Sequence, residues 1–196
     1  VQTCALPISG AILARVASSH IRVGTFQFHF ANGDLEALRL LTDHVIERHY
    51  PDAATAANPV LALLERVSAR QAELIARWMQ VGFIHGVMNT DNFNITGETF
   101  DFGPWRFLPI SDPNFTAAYF DHAGLYAFGR QPEALHWNCG QLAVALRLLA
   151  DAPPLIAAME RFGPLYMEAI GRRWCWRLGV ASRGSEADAA VVAASE

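Results

Sequence analysis

The sequence predicts a predominantly helical α+β fold, and three observations carry that prediction. Apolar residues recur at helical spacing over several long stretches. Between them lies one segment dense in Asn, Asp, Gly, Thr and Phe, with hairpin chemistry. Of the 196 residues, 52% are hydrophobic and only 17% charged, which excludes disorder as a description of the whole. The chain is long enough for a single domain with a substantial core.

From the N-terminus, Val1–Ile8 (VQTCALPI) shows no periodicity. It back-translates to a common sequencing-library adapter, so residues 1–8 are read as a non-native leader and set aside from fold reasoning. Residues 11–15 and 22–30 are rich in Val, Ile and Phe, and the second stretch sets Phe26, Phe28 and Phe30 against Val23, Thr25, Gln27 and His29. Both are expected to be strands or extended segments. Asn32-Gly33-Asp34 forms a turn and cap for a helix carrying Leu35, Leu38, Leu41, Val45 and Ile46, stopped by Pro51. Asn58-Pro59 opens a longer helix reaching about Val81, with Leu61, Leu64, Val67, Leu74, Trp78 and Met79 on one side. Further helices are expected over 137–149, capped and positioned by Asn138 and Gly140, and over 154–178. An aromatic-rich ordered loop should fill 112–132, and residues 191–196 read as a truncated tail.

The charge balance, 15 basic against 19 acidic residues for a net −4, argues against binding nucleic acid through phosphate neutralisation. No apolar run reaches the roughly 18–20 residues of a membrane span, so a cytoplasmic protein without membrane partners is expected. All fifteen basic residues are Arg. That removes any chemistry needing a lysine within this chain, Schiff bases and the Walker lysine included. The three cysteines, Cys4, Cys139 and Cys175, are widely spaced and suit neither a zinc site nor a disulfide framework.

The chemistry concentrates in HGVMNTDNFNITGETFDFG, His85 to Gly103. A long helix delivers a loop holding His85, Asn89, Asp91 and Asn92. A turn at Asn94–Glu98, between two short strands, then presents Asp101 ahead of Phe102-Gly103. Carboxylate and amide oxygens are hard donors suited to Mg²⁺, which takes one or two protein oxygens and completes its shell with water and phosphate. Protein kinases carry H-R-D-L-x-x-x-N followed by D-F-G, with the Asn and the second Asp on metal. Here Asn92 lies seven residues after His85, and Asp101-Phe102-Gly103 follows the turn. The kinase base would fall two residues after His85, where this chain has Val87. Asp91 is the nearby carboxylate able to replace it, and His85 is read as a residue that orders the loop.

This block, with the Asp101-Phe102-Gly103-Pro104 element, resembles the signature of the selenoprotein O family (SelO, also YdiU), pseudokinase-fold protein adenylyltransferases. The resemblance extends through Asp112-Pro113, Asp121-His122, Gly124-Leu125-Tyr126 and Gln131-Pro132, and upstream through 10–27, so that residues 9–190 form one unit. It implies a kinase-like C-lobe whose short hairpin carries the metal site. It also implies an Mg²⁺-dependent enzyme, with Mn²⁺ as an alternative metal, that moves AMP from ATP to Ser, Thr or Tyr hydroxyls of proteins. On that resemblance Asp91 is the catalytic proton acceptor, Asn92 and Asp101 are metal ligands, and Arg15, Arg22 and Asp101 contact the nucleotide phosphates. A guanidinium fork suits that task. The N-lobe with its Gly-rich segment and ATP-binding lysine is missing, so the chain reads as an internal part of a longer enzyme and is expected to be inactive alone. Two other readings compete: a catalytically inactive kinase-like interaction module, and a kinase-like small-molecule phosphotransferase.

Overall fold

The computed structural model describes residues 16–193. Seven α-helices and one two-stranded sheet follow in order: α1 (Val23–Ala31), α2 (Leu35–His49), α3 (Pro59–Val81), β1 (Phe83–Ile84), β2 (Arg106–Phe107), α4 (Gln131–Leu146), α5 (Ala152–Glu160), α6 (Phe162–Arg177) and α7 (Ser185–Ala193). The α+β expectation holds. No helix among the described residues is long and apolar enough to cross a membrane.

The long helix α3 is the axis of the fold and packs against α4, α5, α6 and β1. Its start follows from local chemistry: the Asn58 side chain accepts from the Leu61 N–H and Pro59 occupies the first turn. Its end is Gly82 at φ 69°, a left-handed C-cap that a side chain would resist. Leu63, Leu64 and Val67 are buried against Leu38 and Val45 of α2 and Leu142 and Leu146 of α4. A second apolar cluster joins Ile75 and Trp78 of α3 to Met88 and Phe93 of the loop and to Leu135 and Cys139 of α4. The Cys139 thiol is fully buried and pushed up to about 12 by desolvation, so it has no thiolate chemistry at neutral pH.

Three expectations need correction. The stretch 22–30, read as extended, is mainly helix α1. Its alternating Val and Phe pattern suits a strand, but among the described residues only Arg22 pairs, in a single bridge to Asn94. Instead the Val23 and Gly24 N–H groups, which a helix leaves without intrahelical partners, donate to Phe93 O (3.0 Å) and Thr90 O (2.9 Å). Val23 and Phe26 then share one buried helical face. The helix expected over 154–178 is two, α5 and α6, broken at Arg161. Restarting at Phe162 places Pro164 in a first turn, where its missing N–H costs nothing. Finally, α4 begins at Gln131 rather than 137, with Pro132 in its first turn, and Asn138 lies inside it as a tertiary anchor rather than a cap.

The turn at 94–98 forms as expected. Asn94 Oδ1 accepts from the Thr96 and Glu98 N–H groups, Asn94 N–H donates to Glu98 O (3.0 Å), and Gly97 takes φ 81°. Its flanking strands, however, reduce to a single bridge, Phe93 to Thr99. The regular sheet pairs Phe83 with Phe107 and Ile84 with Arg106, antiparallel, closing a wider loop around the turn. The predicted extended segment 11–15, the leader and residues 194–196 lie outside the described residues.

Candidate functional site

His85 is the buried centre of the loop, with none of its surface exposed. Its Nδ1 accepts from the Val87 N–H (3.3 Å), so the proton resides on Nε2, which lies 2.8 Å from Phe100 O and donates to it. The ring stacks on Trp78 (5.4 Å between centroids) and touches Phe93 and Phe102. Burial holds its pKa below the ordinary histidine value, against smaller opposing effects of the Phe100 bond and the Asp101 charge. The imidazole is thus a neutral strut between the loop and the segment before Asp101, in agreement with the ordering role read from the sequence. That same backbone geometry leaves Val87 as a hydrogen-bonding post: its N–H serves His85 and its carbonyl accepts from Asn92 Nδ2 (2.8 Å).

Asn92 is 7% exposed. Its N–H closes a turn on Asn89 O (3.1 Å), and its carbonyl accepts from the Phe100 N–H (2.9 Å), which brings it beside the residue preceding Asp101. With Nδ2 spent on Val87, Oδ1 takes no hydrogen bond from a described residue. Asp101 is exposed and has φ 55°, the sole positive value for a non-glycine among the described residues. Asp tolerates that left-handed conformation better than most residues, but it carries a cost of about 1–3 kcal/mol that elsewhere clusters at functional sites. Its carboxylate also accepts no hydrogen bond from a described residue. Two hard oxygens left unused by the described residues, on segments tied by one backbone bond, suit an ion that takes few protein ligands. Among the described residues no three His, Cys, Asp or Glu side chains gather as a metal set.

Asp91 sits at the tip of the loop, its N–H held by Asn89 Oδ1 (3.0 Å). Arg22, just before α1, donates through Nη1 to Asp91 O (3.2 Å) and lies 3.8 Å from Asp91 Oδ1. Both side chains are largely solvent-exposed, 45% and 65%, so this pair adds little stability and both groups stay accessible. The fold therefore brings Arg22 to Asp91 across nearly seventy residues, and Asn92 to the segment of Asp101. Arg15 lies outside the described residues.

One participant escaped the sequence reading. A Cβ at Gly24 would stand 2.3 Å from Asp91 Oδ1, so the first turn of α1 and this carboxylate occupy the same space only because residue 24 has no side chain. Nothing local to the GTF tripeptide signals that contact. Glu98, read from the sequence only as the end of the turn, does more. It accepts from Ser18, Asn94 and Thr96, bonds that hold its carboxyl below the usual range, with the Ser18 hydroxyl foremost, and it ties segment 18–22 to the turn.

What these elements define is a helical protein with an oxygen-donor loop set between a long helix and the start of α1. A family model, protein adenylyltransferase SelO, matches residues 5–195, and the chain belongs to that family. Similar curated proteins include a protein nucleotidyltransferase YdiU of Rhodopseudomonas palustris strain BisB5, 60% identical over 154 residues (79% of this chain, 30% of the relative). Others of the same description are found in Methylorubrum populi, 59% identical over 153 residues (78% and 31%), and Cereibacter sphaeroides, 52% over 165 residues (84% and 34%). The chain spans about a third of the length of these relatives.

Proposed function

We propose that this chain is the kinase-like C-lobe portion of a cytoplasmic protein adenylyltransferase, which moves AMP from ATP to Ser, Thr or Tyr hydroxyls of protein substrates. The observation that carries this reading is the approach of Arg22 to the loop of Asp91 and Asn92, bonded through the Asn92 carbonyl to Phe100, the residue before Asp101. Family membership and relatives described as nucleotidyltransferases support it.

In this reading Asn92 Oδ1 and the Asp101 carboxylate would hold Mg²⁺ or Mn²⁺, which when bound neutralises charge on the phosphates. Arg22 and Arg15 present guanidinium groups to phosphate oxygens. Asp91, exposed at the loop tip, accepts the proton of the attacking hydroxyl, and the proton stays on its carboxylate until solvent takes it. His85 keeps its own proton directed at Phe100 O and takes no part in proton transfer. The oxygen of the protein hydroxyl forms the new bond to the α-phosphorus, and pyrophosphate departs with the electrons of the broken P–O bond.

The test is mass spectrometry of a full-length protein carrying this segment, incubated with ATP, Mg²⁺ and a protein acceptor. A protein mass increase of one AMP is expected. An increase of one phosphate would establish a kinase instead, and no increase at all would favour the inactive interaction module.

A further inference from the structure

Four backbone groups on either side of the loop tip are gripped by side chains rather than by other backbone. The carboxamide of Gln131, wholly buried at the start of α4, spans β1: its Nε2 donates to Phe83 O (2.9 Å) and its Oε1 accepts from the His85 N–H (3.1 Å). A donor and an acceptor offered to residues two apart reproduce what a neighbouring strand would supply on that edge. One helical face further on, Asn138 is 1% exposed and donates to Met88 O (2.8 Å) as well as to Ala134 O (2.8 Å). From α3, Gln71, also 1% exposed, donates to Asn94 O (2.8 Å). Asp91 and Asn92 therefore lie between fixed points at 83, 85, 88 and 94.

Stability alone does not account for Gln71 and Asn138. Gln71 Oε1 and Asn138 Oδ1 are buried and find no hydrogen-bond partner among the described residues. An unsatisfied buried acceptor costs about 1–3 kcal/mol, the same scale as the penalty avoided by satisfying Asn94 O or Met88 O, so the two largely offset. What an apolar replacement would lose is direction: each carboxamide fixes a carbonyl or N–H to within hydrogen-bond tolerance, and displacements near 1 Å at a reacting group can lower rates about 10²-fold.

We infer that Gln71, Gln131 and Asn138 are positioning residues, a clamp of three buried carboxamides by which α3 and α4 set the geometry of the loop bearing Asp91 and Asn92. The catalytic arm of this inference rests on the adenylyltransferase reading. The structural arm does not.

Both arms are read in a full-length protein carrying this segment, using the near-isosteric variants Gln71→Met, Gln131→Met and Asn138→Leu. Gln131→Glu is the second variant at that position: buried and therefore protonated, its carboxyl keeps an acceptor for the His85 N–H and an O–H donor for Phe83 O, so it should retain more loop protection than Gln131→Met. Gln80→Met is the control, because Gln80 is a buried carboxamide of α3 bonded to Arg173 O (2.7 Å), away from the loop. Hydrogen exchange of amides 85–94 should quicken by about tenfold or more in the clamp variants, while α2 stays protected as in the parent. The kcat for AMP transfer should fall about tenfold with the KM for ATP within about twofold, the signature of lost transition-state geometry. Gln80→Met should leave both unchanged. Unchanged loop exchange, exchange that quickens equally in α2, or a loosened loop with undiminished kcat would each overturn the clamp. If the parent protein transfers no AMP, the adenylyltransferase reading fails, and the exchange pattern alone decides whether the clamp exists.

Discussion

The helical frame and the loop-rich stretch 82–130 share one chain but are held by different forces. In the frame, Leu38, Val45, Leu63, Leu64, Leu142 and Leu146 interlock with essentially no exposed surface, and stability scales with apolar area removed from water. In the loop stretch, regular structure amounts to two residue pairs of sheet and a 3₁₀ turn at 128–130. Beside turn and bridge bonds, many of its backbone groups are satisfied by side chains: Gln131 and Asn138 around His85, Asn89 at Asp91, and Asp121 at the N–H groups of Leu125 and Tyr126. Packing by area is forgiving of which atom provides it. Packing by directed bonds is not, so mutations in the frame should be felt as stability and mutations in the loop as geometry.

The largest effect should come from the frame. Leu64→Ala removes a fully buried side chain from α3 and should lower unfolding free energy by about 2–5 kcal/mol, read by denaturant titration. A change under 1 kcal/mol would mean the frame yields as readily as the loop, and the contrast would collapse. Next, Asp91→Asn should lower AMP transfer by about 10²-fold or more, near 2.7 kcal/mol, in a full-length protein. Because the side chain is mostly exposed, thermal stability should hardly move. Near-full transfer would return Asp91 to the status of a loop-ordering residue.

A third effect sharpens the comparison through pH. Burial depresses the His85 pKa, so below the ordinary value of 6.5 the unfolded chain binds a proton that the folded one refuses. The His85 contribution is therefore fully present above pH 6.5 and drains away as pH falls, with a slope of at most about 1.4 kcal/mol per pH unit. His85→Gln should flatten the acid limb of the stability profile relative to the parent. An unchanged limb would show that other groups set it. A small stability change is also expected at Gly24→Ala. The added methyl clashes only with the far end of the Asp91 side chain, meets Thr90 O at ordinary contact distance and gains helix propensity, leaving stability within about 1 kcal/mol of the parent. Transfer should nonetheless fall several-fold, as the carboxylate is pushed aside; retained transfer would show that the Asp91 position is not critical.

By itself the sequence determined the long helices α2 and α3, the turn at 94–98, the concentration of oxygen donors between His85 and Asp101, and the family. Each of these is written locally: 3.6-residue periodicity, Asn-Pro and Asn-Gly-Asp capping, turn chemistry and a contiguous motif. The tertiary structure decided that Val23–Ala31 is helical despite its strand-like alternation, since a strand needs a partner and the first-turn N–H groups found theirs in the loop at 90–93. It also decided that Phe83-Ile84 pairs with Arg106-Phe107, that Gly24 makes room for Asp91, and that Gln71, Gln131 and Asn138 reach the loop backbone. Propensity and periodicity act over one or two turns of chain. A hydrogen bond between α4 and a loop some fifty residues earlier depends on where two surfaces meet, and that is settled only when the apolar faces of α3 and α4 have packed.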